Sequence, residues 1–475
     1  MKRVNYILMA LAFAFSGCFS DLDPISKSDL SPDQFFKTEK DVKAAVSGVY
    51  AHLENLHHAY GGSNLNPCYA TTDEFTCSWG DSRWRIWRDL TWTPTTGDVT
   101  KFYNLNKITE ATNMIFRAEA VDMDPDLKDR YIAEMRMVRA ILAWYQYRFY
   151  GPVPVILEQG HGSDYRPERP TKEWMVDFLV SEAEACAAIL PKTYDAGDFG
   201  RMTKGIAYML ELKVYMNDHQ WQKAAEVSKK IMDLGVYNLQ DTYASVFHID
   251  NEMNDEIVWA ISRTPSRGNH WLAHVYPYDY VSLAGNSVQR WGGFKVPWDI
   301  YDRCFTEAQD GRLEVLWSEY PINADGTMKS MRSDIGALPV KYSEDPAGAG
   351  TLHGNDWIIW RYTDVLLSRA EALNQLSGPT QEATDLINTV RSRAGVSQIS
   401  KDDFTKESLN DYILDERFRE LYLEGHRRDD LIRHGKFIEK AKERGVDYAS
   451  EKHLLFPIPQ WQLDQDPDFP QNPGY

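Results

Sequence analysis

The sequence predicts a mainly α-helical fold with long irregular loops and at most minor β-structure. Three observations carry this expectation. Apolar residues recur at three- and four-residue steps over most of the chain, and helix caps and Gly-Pro stops bound those segments. The stretches between them, above all 60–98 and 262–356, are rich in Gly, Asn, Ser, Asp and Pro and keep no period. A chain of 475 residues is long enough to bury a large core without disulfides or metal.

The N-terminus reads as an address. Lys2 and Arg3 open it, Ile7 to Phe15 are apolar, and Ser16-Gly17 lead into Cys18. That is the layout of a secretory signal over 1–17, with an apolar run too short to span a bilayer. The small pair before Cys18 resembles a bacterial lipobox, which implies cleavage before Cys18 and its acylation. Several acyl chains on one residue would anchor the protein stably. Residues 18–30, with Ser20-Asp21-Leu22-Asp23, then form an acidic tether. Losing the signal moves the net charge from −18 to −20, since Lys2 and Arg3 leave with it.

Ser31-Pro32-Asp33-Gln34 announces the first helix, where Ser can cap, Pro suits the first turn and Gln takes the capping-box position. Val42, Val46, Val49, Leu53 and Leu56 form its apolar face. Helices are then expected over about 100–120 and 126–149, the second stopped by Gly151-Pro152, which cannot continue it. Others fall near 171–190, 203–217, 219–234, 363–376, 380–393 and 408–434. In 208–231, Tyr208, Leu212, Tyr215 and Ala224 take the spacings of a tetratricopeptide unit; in 367–395, Leu367, Ala383 and Gly395 keep that frame with Asn374 in the aromatic position. Two degenerate pairs do not establish a solenoid by period alone.

Composition excludes some functions. The chain carries 70 Asp and Glu against 52 Lys and Arg, without basic runs, and is a poor partner for phosphate backbones. No HExxH, GxSxG, phosphate-cradling or dinucleotide glycine motif is present, no Cys/His cluster has zinc spacing, and no cofactor or metal is expected. Export would expose Cys68, Cys77, Cys186 and Cys304 to oxidising conditions; a Cys68–Cys77 bridge is open, and Cys186 reads as a buried thiol.

The C-terminal third is the most specific part. It runs from Arg361-Tyr362-Thr363-Asp364-Val365-Leu366-Leu367 through Ala370-Glu371-Ala372-Leu373-Asn374 to Ile387-Asn388-Thr389-Val390-Arg391-Ser392-Arg393-Ala394-Gly395. Glu416-Arg417-Phe418-Arg419-Glu420-Leu421, Glu424-Gly425-His426-Arg427, Leu455-Phe456-Pro457-Ile458-Pro459 and Gln471-Asn472-Pro473-Gly474-Tyr475 follow in order. With Tyr150-Gly151-Pro152-Val153-Pro154 and Asp310-Gly311-Arg312 upstream, this series resembles the SusD/RagB family of outer-membrane nutrient-binding lipoproteins. The resemblance implies a SusD-like fold over 31–475, with an N-terminal part to about 260 and a C-terminal part from about 261. It also implies a non-catalytic glycan-binding protein, lipid-anchored on the outer membrane and facing the cell surface. A SusC-like TonB-dependent transporter is its implied partner. The charged blocks themselves read as ion pairs that fix packing.

More than half of the 15 tryptophans lie in the two irregular regions. An indole face suits the C–H face of a pyranose, and polar side chains at its rim bond the hydroxyls. Position in the family's ligand-bearing loops selects Trp79, Arg83, Trp84, Trp271, Tyr278, Asn286 and Trp291 as glycan contacts, with some of the four tryptophans exposed. A surface glycoside hydrolase is the alternative, because paired carboxylates carry no sequence spacing. A helical-repeat scaffold that binds only protein is another. The sequence does not name the glycan.

Overall fold

The computed structural model describes residues 36–54, 66–80, 82–162, 164–282, 285 and 289–475. The signal, Cys18, the tether and Asn286 lie outside them. Nine helices of 13 residues or more run through the described residues: α1 Glu39–Glu54, α2 Asn106–Glu119, α3 Pro125–Tyr150, α4 Lys172–Ile189, α5 Lys204–Asn217, α6 Trp221–Asp233, α7 Tyr362–Ser377, α8 Gln381–Arg393 and α9 Lys406–Leu421. No described helix is long and apolar enough to cross a membrane.

Local chemistry sets most boundaries. Asp124 caps α3 by accepting from the Leu127 amide at 2.9 Å, Pro125 takes the first turn, and Gly151 ends the helix at φ 74°. Thr171, Thr203 and Thr380 cap α4, α5 and α8 in the same way. Elsewhere tertiary contacts override the periodic pattern. α1 begins at Glu39, where Asp41 accepts from the Thr38 amide at 2.8 Å; Ser31 to Gln34 lie outside the described residues. The helix expected from residue 100 begins at Asn106, because Gln146 holds Phe102 O and the Asn104 amide in a non-helical path. The helix expected over 408–434 breaks after Leu421 and resumes at Arg427–Arg433. Leu423 (φ 57°) and Gly425 (φ 86°) turn the chain, and the Leu423 amide bonds Glu74 Oε2 at 3.1 Å.

The helices pack as a sequential arc in which α1 to α6 each lie on their neighbours and α7 lies on α6, α8 and α9. A repeat architecture thus spans both pairs seen in the sequence, although 128 residues separate α6 from α7. Leu212, Ala224, Leu367 and Ala383 are buried at the helix contacts. Asn374 replaces the aromatic wedge and donates to Lys406 O at 2.9 Å, tying α7 to α9.

The insert between α6 and α7 is closed at its base by antiparallel β2 (Ile257–Ile261) and β8 (Trp357–Arg361). A four-stranded antiparallel sheet, β1-β3-β7-β4, joins β1 (Thr76–Cys77) to β3 (Phe294–Pro297), β7 (Gly336–Pro339) and β4 (Leu316–Trp317). A hairpin of β5 (Glu319–Pro321) and β6 (Met328–Ser330) completes the β-structure of the described residues. Pairing of β1 with β3, Thr76 opposite Lys295 and Cys77 opposite Phe294, brings the two irregular regions together. Cys68, Cys77, Cys186 and Cys304 are thiols.

The charged blocks form a buried lattice. Arg361, fully buried, donates to Glu256, Glu420 and Glu424, each at 2.7 Å. Glu416 takes Arg312 at 2.6 Å and Arg391 at 3.0 Å, and Arg417 joins Asp364 to Asp430 at 2.9 Å each. Burial alone would raise these carboxyls; Arg393 and Arg361 outweigh it and hold Glu420 down at about 2. The closing segment lies over the helices as extended chain, with Asn472 donating to Tyr150 O and Phe456 O at 2.9 and 2.7 Å.

Candidate functional site

The β1–β3 pairing builds the site. Beyond β1 the chain continues alongside 291–293, where the Ser78 amide bonds Gly293 O at 3.0 Å and Trp79 Nε1 bonds Trp291 O at 2.9 Å. The two indoles meet edge to face at 6.3 Å, and His274 lies 5.3 and 4.8 Å from their centres. A Cβ on Gly293 would stand 2.2 Å from the Trp79 ring, so that glycine is what lets the indole close. Beneath them Lys295, buried on β3, donates to Gly292 O at 2.7 Å; desolvation lowers its pKa, and Asp334 at 3.4 Å opposes the shift. Trp79 and Trp291 both remain half-buried.

Next to this pair the segment 276–282 makes a second aromatic feature. Tyr276 and Tyr280 stack at 4.1 Å and 14°, and Trp317 lies within 6.3 and 6.0 Å of them. Glu344 accepts from Tyr280 and Ser282, both at 2.6 Å, and Asp279 accepts from Tyr320 and Lys329 at 2.7 Å. From this braced turn Tyr278 projects into solvent, 78% exposed. Burial and the adjacent Tyr280 push the Tyr276 hydroxyl well up, so the Tyr276 phenol stays neutral. Trp79 also lines a small cleft of about 70 Å³, with Cys77, Arg85 and Arg88 in its wall.

Two of the expected contacts are corrected. Trp84 is 4% exposed and Trp271 1%. Residues 82–88 and 271–275 are short helices, not loops. One turn of helix carries Trp84 and Trp87 inward onto Phe294 and Phe102, and Trp271 packs on Tyr69, Phe294 and Trp357 while donating to Pro339 O at 3.0 Å. Neither presents a ring face to solvent. Arg83 is half-buried, 3.7 Å from Asp98. Among the described residues no three His, Cys, Asp or Glu side chains are placed to hold a metal ion.

The family described as "SusD family" matches residues 306–475. Over 98% of both chains, this one is 23% identical to "SusD-like protein P25" of Formosa agariphila. Over residues 306–475 the chain is similar to the SusD family, and its fold is SusD-like. It is also 23% identical to "Starch-binding protein SusD" of Bacteroides thetaiotaomicron, over 78% of this chain and 76% of that one. Among solved structures, surface glycan-binding protein A from Bacteroides thetaiotaomicron superposes with a TM-score of 0.76 at 22% identity, covering 93% of this chain and all of the other. A laminarin-binding SusD-like protein superposes at 0.78, also at 22% identity, covering 92% of this chain and all of that one.

This SusD-like fold also exposes aromatics that sequence reasoning missed. Trp174 on α4 is 40% exposed and Trp461 44%, while Tyr165 stacks on His161 at 3.8 Å. Trp174 lies on a regular helix outside the two irregular regions, and its first-turn position beside Lys172 and Glu173 marks a solvent-facing end.

Proposed function

We propose that the protein is a non-catalytic glycan-binding lipoprotein, anchored through Cys18 in the outer membrane and facing outward. It captures oligo- or polysaccharide and passes it to a SusC-like TonB-dependent transporter. The observation that carries this reading is Tyr278, exposed on the turn between the stacked Tyr276 and Tyr280, in the same region as the half-buried Trp79–Trp291 pair. A rigid exposed ring loses little entropy on binding and offers its face to sugar C–H groups, and nearby polar side chains such as Gln289 and Arg290 supply hydrogen bonds. Relatives named for starch and laminarin support a glucan as the first ligand class to try.

Affinity electrophoresis against a polysaccharide panel that includes starch and laminarin tests this. Retardation by at least one glycan is expected, with loss of it in Tyr278→Ala, Trp79→Ala or Trp291→Ala and no reducing ends released. Absence of any retardation, or variants retarded as strongly as the parent, would refute it. Cys18→Ala should release the protein from membranes. A β-barrel transporter should co-purify with the anchored form.

A further inference from the structure

Helices α4, α5 and α6 line an open groove of about 460 Å³, built from other elements than the aromatic surface. Glu211 of α5 lines it, 0% exposed, and neither of its carboxyl oxygens has a hydrogen-bond partner among the described residues. Asp177 and Glu184 face it from α4, and Lys223, Glu226 and Lys230 from α6. Both lysines lie over rings, Lys223 Nζ 5.3 Å from the Tyr215 centre and Lys230 Nζ 5.5 Å from that of Tyr208. By contrast Glu256, Glu371 and Glu416, equally buried, each hold at least one arginine. An ionised carboxylate buried without a partner is costly, and neither groove lysine bonds Glu211, so the group stands ready for a cation that reaches it directly. Burial first, and then Glu184, push its carboxyl up to about 8 against the pull of Lys230.

We propose that this groove docks a basic segment of a partner protein, whose arginine or lysine side chain reaches Glu211 while the segment lies between α4 and α6. Carboxylates on three helices complement a cation, and the −18 charge of the whole chain favours a basic partner. A sugar would find one ring here, Tyr215, and no stacked platform. The proposal stands independently of the glycan reading. Near neutral pH the arriving cation makes Glu211 ionise, and its proton passes to the buffer.

Calorimetry on the mature chain tests this with pentalysine, pentaarginine and pentaglutamate at physiological salt, in two buffers of different ionisation heat at neutral pH. The cationic peptides alone should bind and should release up to one proton. Glu211→Gln should weaken binding about tenfold or more and abolish the proton release while keeping the thermal midpoint. If that variant does not fold, Asp177→Asn and Glu184→Gln at the rim should each weaken binding. Absence of binding, binding without proton release, or unchanged affinity in the variants would overturn the proposal. So would tighter binding of chitosan oligomers than of the peptides, which would assign the groove to amino sugars.

Discussion

Glu74 sits immediately before β1, fully buried, with Oε2 accepting from the Leu423 amide at 3.1 Å and Oε1 unpaired among the described residues. Its neighbour Asp73 takes both arms of Arg427, at 2.8 and 2.7 Å, so no arginine is left for Glu74. Burial pushes the Glu74 carboxyl from 4.5 to about 8, opposed by the Leu423 bond and Arg427. A carboxyl raised in the native state binds its proton more tightly there than in the unfolded chain. The stability it contributes is therefore full below about pH 4.5 and lost as pH rises through about 8. At about 1.4 kcal/mol per pH unit the ceiling of that loss is about 4–5 kcal/mol, and local relaxation brings the expected value to about 2–4. Glu74→Gln keeps the acceptor for Leu423 and cannot ionise. Urea midpoints should agree with the parent within about 1 kcal/mol at pH 5 and favour the variant by about 2–4 kcal/mol at pH 9. The other titrating groups cancel in the difference. A difference independent of pH would refute the assignment.

The remaining expectations test the lattice and the site. Arg361→Met strips one cation from three buried carboxylates and should cost about 3–5 kcal/mol in urea unfolding. Trp271→Ala opens the core and leaves Pro339 O without its donor, for about 3–5 kcal/mol, whereas Tyr278→Ala should change stability by less than about 0.5 kcal/mol and still abolish glycan retardation. Gly293→Ala forces the Trp79 ring away from a Cβ 2.2 Å distant; near-ultraviolet circular dichroism should change and glycan retardation fall, with the denaturation midpoint falling less than for Trp271→Ala.

The helices were legible because their punctuation is local. Asp124, Thr171, Thr203, Thr380 and Gly151 act on the nearest turn of backbone, and their effect can be read without knowing what packs nearby. Reading failed where a distant group decides, as Gln146 does for 102–104 and Glu74 for the turn at Leu423. The charges at 416–427 illustrate the same limit. Their three- and four-residue spacing described one helix face, and Glu416 does take Arg419, three residues on. Most of their partners, however, are Arg312, Arg361, Arg391 and Arg393, brought in from other elements, and Arg427 reaches back to Asp73. Spacing identified the charged side chains, and only the fold assigned their partners.

The site shows why composition located a region and could not choose residues within it. That 60–98 and 262–356 meet depends on a two-residue strand, β1, which carries no periodic signal. Once they meet, each tryptophan's fate follows from its backbone. A helical turn sends Trp84 and Trp87 to the core, a short helix buries Trp271, and the turn closed by the Tyr280 amide on Pro277 O at 3.1 Å leaves Tyr278 in water. Indole is apolar enough that any turn of helix able to bury it will do so. Tyr278 lies on the turn between Tyr276 and Tyr280, which stack on one another with Trp317 alongside, so the space around that turn is already filled by its neighbours. The packed rings thus brace the turn that carries the exposed one. On this reasoning Trp317→Ala, a change at a residue with no ligand contact required of it, should weaken glycan retardation by unseating Tyr278, and Trp317→Phe should restore it.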